Sequence, residues 1–153
     1  DKAESLRTTY QRLVFLKRSS DPPDVCLELD NIVQICSSYR PQYHEFSVHF
    51  AARYIDEVRR VVFVGGGDSM LLHEVLKYPT LELVVGLELD QAVTRKSFKY
   101  FNTQPHFDDE RVEWWFGDAT KRLLLLPKEY WGSFDLIPVS YTPLTLPTNL
   151  RRA

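Results

Sequence analysis

The run from Val61 to Asp90, VVFVGGGDSMLLHEVLKYPTLELVVGLELD, constrains this chain more than any other segment. It joins an apolar strand, three consecutive glycines, a helix and a second apolar strand that ends in acids. That succession is the layout of a nucleoside-binding α/β unit. Gly65, Gly66 and Gly67 tolerate positive φ and carry no Cβ, so the backbone can turn tightly and come close to a ligand. Asp68 stands where the following helix begins. Glu88 arrives about twenty residues on, at the end of the next strand, where an acid can accept both hydroxyls of a ribose. The glycines do not make the GxGxxG dinucleotide pattern, because Met70 fills the position of its third glycine, and no Gly-Lys-Ser/Thr follows as in a phosphate-cradling loop.

From Arg60 onward the apolar runs VVFV, LELVVGL, VEWWF and FDLI read as strands buried on both faces of a parallel sheet. Helical patterns alternate with them over Ser69–Lys77, Gln91–Phe101 and Ala119–Leu126, the last stopped by Pro127. Repeated βα units impose a doubly wound sheet. Upstream, Tyr10–Lys17, Val25–Leu29 and Ile32–Cys36 are short, partly alternating segments separated by turn residues, which predicts a small antiparallel sheet. With Asp30-Asn31 as a two-residue turn, regular pairing sends Cys26 and Cys36 to opposite faces of the ribbon, which predicts free thiols and a reducing compartment. After Pro41, Tyr43, Phe46, Phe50 and Tyr54 recur at three- and four-residue intervals, as one stripe of a helix that bridges the hairpin sheet to the α/β unit.

The expected architecture is therefore α/β: a Rossmann-like, class I methyltransferase-type doubly wound sheet, incomplete, over residues 41–137, preceded by a β-hairpin subdomain over 1–40. A chain of 153 residues with 44% apolar composition is the size of one globular domain and buries a real core. No segment approaches the ~20 apolar residues of a membrane span, and a formal charge of -2 offers no basic face for nucleic acid. The chain starts at Asp1 with no charged-then-apolar leader, and both ends read as cut from something longer.

Three acids fall at or just beyond strand ends: Asp68, Glu88 with Asp90 close behind, and Asp118 in FGDA. Ligands of open α/β sheets bind at that edge, where a carboxylate can hold an ammonium, a ribose diol or an adenine amino group. The competing reading of Asp68 and Asp118 is helix N-capping, because each immediately precedes a helix. For His44, the competing reading is a histidine that serves a buried polar network.

Taken together, Tyr10-Gln11, LDNIVQ (Leu29–Gln34), YHE (Tyr43–Glu45), VGGGDS, LELD, FDDERVEWWFGDA and FDLI resemble, in one consistent order, the spermidine synthase-like polyamine aminopropyltransferases. Ordinary methyltransferases share the glycine turn and the acid of the second strand but not the hairpin or YHE. The resemblance implies a pocket for decarboxylated S-adenosylmethionine as co-substrate, a polyamine acceptor and no metal. Gln34, Tyr43 and His44 would line that pocket from the hairpin side, Asp68 would hold the amino end, Glu88 the ribose and Asp118 the adenine. The backbone of Gly65, Gly66 and Ala119 would lie alongside. The resemblance also implies a homo-oligomer formed through the N-terminal region, and the expected free thiols point to a cytoplasmic protein. The alternatives are a class I methyltransferase using S-adenosylmethionine itself and a non-catalytic nucleoside-binding homologue.

Two departures stand out. The family's GGGDGG is GGGDSM here, so Ser69 and Met70 sit beside the expected methionine end of the ligand. The fourth apolar run meets Pro138, which lacks a ladder donor, and the family's general-base aspartate position is occupied by Ser140. The stretch Val139–Thr148 resembles a translated transposase-type sequencing adapter, so residues 138–153 are read as a non-native tail. The expectation for this chain as written is an adenosine half-site without a catalytic base.

Overall fold

The computed structural model describes residues 1–140; residues 141–153, and with them most of the expected non-native tail, lie outside the described residues. Four antiparallel strands come first, β1 (Lys2–Arg7), β2 (Arg12–Arg18), β3 (Asp24–Leu29) and β4 (Ile32–Cys36), paired in that order. The last three follow the apolar segments of the sequence. β1 is an edge strand whose KAESLR contains no β-branched or aromatic residue, so it carried no strand signal.

The β3–β4 hairpin turns at Asp30 and Asn31, with φ of 47° and 67°. Positive φ at both central positions is what a two-residue I′ turn demands, and Asn and Asp tolerate it. Next to the turn the pairing is regular, Leu29 with Ile32 and Glu28 with Val33. It then slips by one residue, so that Leu27 pairs with Ile35 and Cys26 with Cys36. Gln34 is the residue left over.

This slip overturns the expectation of free thiols. An extra residue in one strand sends every side chain beyond it to the other face. Cys26 and Cys36 therefore meet, and they form a disulfide with an S–S distance of 2.01 Å. The two cysteines therefore do not indicate a reducing compartment. Asp24 lies close enough to these sulfurs for the three to hold a metal ion, but the sulfurs are bonded to each other.

The second sheet is parallel, in the order β5 (Arg60–Val64), β6 (Leu83–Glu88), β7 (Val112–Phe116). Helix α1 (Met70–Val75) follows β5, α2 (Gln91–Phe101) follows β6 and α3 (Ala119–Leu125) follows β7. Alternation along β5 and β6 assigns the two faces. Val61, Phe63 and Val84 pack with Leu71, Leu72 and Val75 of α1. Val62, Val85 and Leu87 pack with Leu126 and, across the same face, Ala119 and Tyr130. Both faces are covered, which is why these strands read as unbroken apolar runs. A third cluster joins the subdomains: Leu13, Phe15, Leu27, Leu29 and Ile35 of the antiparallel sheet pack on Met70 and on Val93 of α2.

The bridging helix over Pro41–Phe50 is a π-helix. His44 and Val48 face inward, with Ala52 buried just beyond the helix, while the aromatic stripe points outward. Phe46 is 61% exposed and Tyr54 76%, and the rings of Phe46, Phe50 and Tyr54 contact one another along the surface. His49 fastens this helix to α1, its ring nitrogens 2.7 Å from the Tyr78 hydroxyl and 2.8 Å from Glu74 Oε2.

Residues 135–140 run parallel beside β5 as the fourth apolar segment. Val62 N–H donates to the Leu136 carbonyl, Val64 N–H to that of Pro138, and Ser140 N–H to that of Val64. Pro138 has no N–H to return to Val62. The ladder is accordingly interrupted, and what remains is two isolated bridges, Val61 with Leu136 and Val64 with Val139.

Candidate nucleoside site

The site is built at the carboxyl ends of β5, β6 and β7. Gly65 and Gly66 have φ of 77° and 70°, the left-handed region that glycine enters without penalty. Gly67 is required for a different reason. A Cβ there would lie 2.5 Å from Glu88 Oε2, 2.7 Å from its Cδ and 2.8 Å from its Cγ, so only hydrogen leaves room for the acid.

Glu88 is the most constrained of the three acids. Its Oε2 accepts from Gly67 N–H and its Oε1 from Asp90 N–H, both at 2.9 Å. It is 3% exposed. Burial pushes its carboxyl up to about 7, against these two amide bonds; the charges of Asp68 and Asp90 push the same way as burial. Each oxygen keeps acceptor capacity beyond its single amide, as binding a diol would need.

Asp68 and Asp118 both act as helix-start acceptors. Asp68 Oδ1 accepts from Met70 N–H at 2.8 Å, and Asp118 Oδ1 from Lys121 N–H at 3.0 Å. Capping and ligand binding are compatible, because each carboxylate keeps its second oxygen. Asp68 Oδ2 lies 3.8 Å from His44 Nε2. His44 is fully buried and neither ring nitrogen hydrogen-bonds within the protein. Ser69, one residue past Asp68, holds φ of 64° with a buried hydroxyl that has no protein partner. Met70 is buried in the cluster that joins the subdomains.

Three adjoining cavities collect these groups. Gln34, Gly66, Gly67, Asp68 and Glu88 line a small one of about 30 Å³. Gln34, Tyr43, His44 and Asp68 line a second of about 280 Å³, between the hairpin and the π-helix. Gly65, Asp118 and Ala119 line a third of about 190 Å³, closed on its other side by Tyr10, Gln11 and Leu29. Ser140 borders all three. Asp68 and Glu88 thus share one cavity, and Asp118 lies in its neighbour, exposed at the rim. Gln34 reaches the cavities from the bulge that also brings the cysteines together.

The wall formed by Tyr10, Gln11 and Leu29 has no role in the reading of the acids and glycines. The signal available for it was the placement of Tyr10-Gln11 and of Leu29 within the family motifs, because neither is marked by charge or spacing.

The fold is an α/β, Rossmann-like unit of methyltransferase-type topology, with an antiparallel hairpin sheet packed against the carboxyl edge of its parallel strands. Within that class, residues 40–148 match the spermine/spermidine synthase domain, and the chain belongs to that family. Over 137 residues it is 37% identical to the polyamine aminopropyltransferase of Thermoanaerobacter sp. strain X514, covering 89% of this chain and 47% of that protein. The polyamine aminopropyltransferase of Thermococcus kodakarensis is 30% identical over 151 residues, covering 94% of this chain and 50% of that one. Among solved structures, a spermidine synthase in complex with the transition-state analogue AdoDATO superposes with a TM-score of 0.81 at 28% identity, over 94% of this chain and 47% of that one. The spermidine synthase of Thermotoga maritima gives a TM-score of 0.78 at 27% identity, over 91% and 48%. The chain spans about half the length of the curated relatives it matches.

Proposed function

We propose that the full-length enzyme built on this unit moves an aminopropyl group from decarboxylated S-adenosylmethionine to a polyamine, and that this chain as written binds the adenosine portion without turning over. The observation that carries the reading is the pair of cavities sharing Asp68. One is enclosed by the glycine turn and Glu88, the other by Gln34, Tyr43 and His44. A carboxylate between them suits a ligand with a ribose at one end and an ammonium at the other. In the proposed assignment Glu88 takes the ribose hydroxyls and Asp118 the adenine, with Gly65, Gly66 and Ala119 as backbone contacts. Asp68 takes the ammonium, beside Gln34, Tyr43 and His44.

Transfer would form a new C–N bond as the C–S bond of the sulfonium breaks. The thioether leaves, and the attacking amine must give its proton to a base. Ser140 stands at that position and borders the cavities. A hydroxyl cannot take the proton near neutral pH without a base beside it. The same residue favours the second reading, a nucleoside-binding homologue that does no chemistry. Assembly of copies through the N-terminal sheet, and a cytoplasmic setting, belong to the proposal on family grounds.

Titration calorimetry with decarboxylated and ordinary S-adenosylmethionine tests the assignment. The decarboxylated form is expected to bind more tightly, because Asp68 repels the carboxylate that the ordinary form carries. Equal or reversed affinities sink the aminopropyl reading in favour of a methyltransferase. No binding of either sinks the nucleoside site.

A further inference from the structure

Asp90 is buried at the start of α2, and its environment includes more than a helix cap. One oxygen, Oδ1, accepts from Ala92 N–H at 3.0 Å, the ordinary N-cap bond. The other, Oδ2, points across to the N-terminal sheet. There it accepts from the Thr8 hydroxyl at 2.6 Å and from Gln11 Nε2 at 3.4 Å, more than seventy residues away in the chain. Thr8 to Gln11 is the tight turn joining β1 to β2, closed by Thr8 N–H donating to the Gln11 carbonyl at 2.9 Å. Within it the Thr8 oxygen also accepts from Tyr10 N–H at 3.1 Å and Gln11 N–H at 3.2 Å. Besides its own backbone bond, the turn is held by one hydroxyl, which accepts from two backbone amides and donates to Asp90.

Two residues of this turn, Tyr10 and Gln11, form the wall of the cavity that contains Asp118. The opposite side of the same carboxylate's residue governs Glu88, whose Oε1 accepts from Asp90 N–H. A single position thus touches both the acid at the end of β6 and the wall facing Asp118. A carboxylate suits it, because the N-terminus of α2 favours an anion and a charged acceptor makes the stronger hydrogen bond to a hydroxyl.

We propose that Asp90 and Thr8 are positioning residues, a clamp that docks the β1–β2 turn onto the N-terminus of α2 and sets the cavity wall opposite Asp118. The inference rests on the nucleoside reading for its functional half and on the bonds alone for its structural half. Asp90 also caps α2, so Thr8 is the cleaner lever. Thr8→Val keeps the shape and removes the hydroxyl; Thr8→Ser restores it.

The experiment combines amide hydrogen exchange with adenosine titration on the 153-residue chain and both variants, at chain concentrations low enough to keep it monomeric. In Thr8→Val the Tyr10 and Gln11 amides are expected to exchange faster while those of β5 and β6 keep their protection, and adenosine affinity is expected to fall about tenfold. Thr8→Ser is expected to recover both. Unchanged exchange of the turn in Thr8→Val overturns the clamp. A loosened turn with unchanged adenosine affinity overturns the positioning role. If the unaltered chain does not bind adenosine, the nucleoside reading fails and takes that role with it, while the exchange arm still decides whether the clamp exists.

Discussion

Gly67 N–H donates to Glu88 Oε2 at 2.9 Å, across the ends of two neighbouring parallel strands, and no side chain fits at residue 67 beside that carboxylate. The glycine turn and the strand-end acid are therefore one unit, although 21 residues separate them in the chain.

Gly67→Ala tests that unit. Its Cβ would press on the carboxyl and on Cγ of a side chain that is buried and held by two amides. Glu88 must leave its position, and an ill-placed buried carboxylate costs binding and stability alike. Adenosine affinity is expected to drop at least tenfold, with about 1–3 kcal/mol lost from unfolding free energy. An alanine variant that binds as well as the parent shows that Glu88 has no fixed role.

The buried Glu88 also makes a pH dependence. Its folded pKa, raised to about 7 from 4.5, means that its contribution to stability is full at pH below 4.5 and is lost as pH rises toward 7. The span corresponds to roughly 3 kcal/mol at most. Urea unfolding from pH 5 to 8 is expected to show that decline in the parent and not in Glu88→Gln. Nucleoside binding should run the opposite way, strengthening as pH rises through 7, because only the ionised carboxylate is a pure acceptor for a ribose diol. Parallel pH profiles for parent and variant would remove Glu88 as the titrating group.

Much of this was legible in the sequence, for identifiable reasons. Strands β5 and β6 and helix α2 are strongly patterned, and burial on both sheet faces leaves an apolar run. The placement of Asp68, Glu88 and Asp118 at the candidate site was legible because they fall where those runs end. The disulfide was not, because Gln34 slips the register inside the hairpin and a bulge has no compositional mark when it is not a glycine. The outward aromatic stripe of the bridging helix escaped for a similar reason. Three- and four-residue spacing marks a helix but not which face turns inward, and here His44 and Val48 pack inside while the aromatic rings stay out. The clamp on Thr8 was invisible because it joins residues 82 apart through one hydroxyl.

The disulfide has a measurable weight. It closes a loop of ten residues between two strands that carry Gln34 and the Leu27 and Leu29 side chains toward the cavities. Loop-closure entropy for that length corresponds to about 2–3 kcal/mol. Adding reductant, or Cys36→Ser, is expected to lower the melting temperature of the chain by several degrees, with both thiols becoming reactive in the reduced parent. A melting temperature unchanged by reductant, in a chain whose thiols react only after reduction, would show that the bridge contributes nothing.

The side of the parallel sheet beyond β5 presents apolar surface to solvent. Among the described residues, the interrupted segment at 135–140 is what lies beyond β5, and it presents Ile137 at 60% exposure and Val139 at 65%. Leu124, Leu125 and Trp131 are also largely exposed, and Leu124 and Trp131 line an open apolar groove of about 330 Å³ with Ile137. Apolar surface beside an unpaired strand edge is a template for association with further chains. The chain is expected to self-associate as its concentration rises, read by sedimentation velocity. Ile137→Lys places a charge on that edge and should shift the transition to higher concentration without changing the fold by circular dichroism. A chain that sediments as a monomer across the whole range, with or without the lysine, shows that the edge is protected and the argument from its exposure fails.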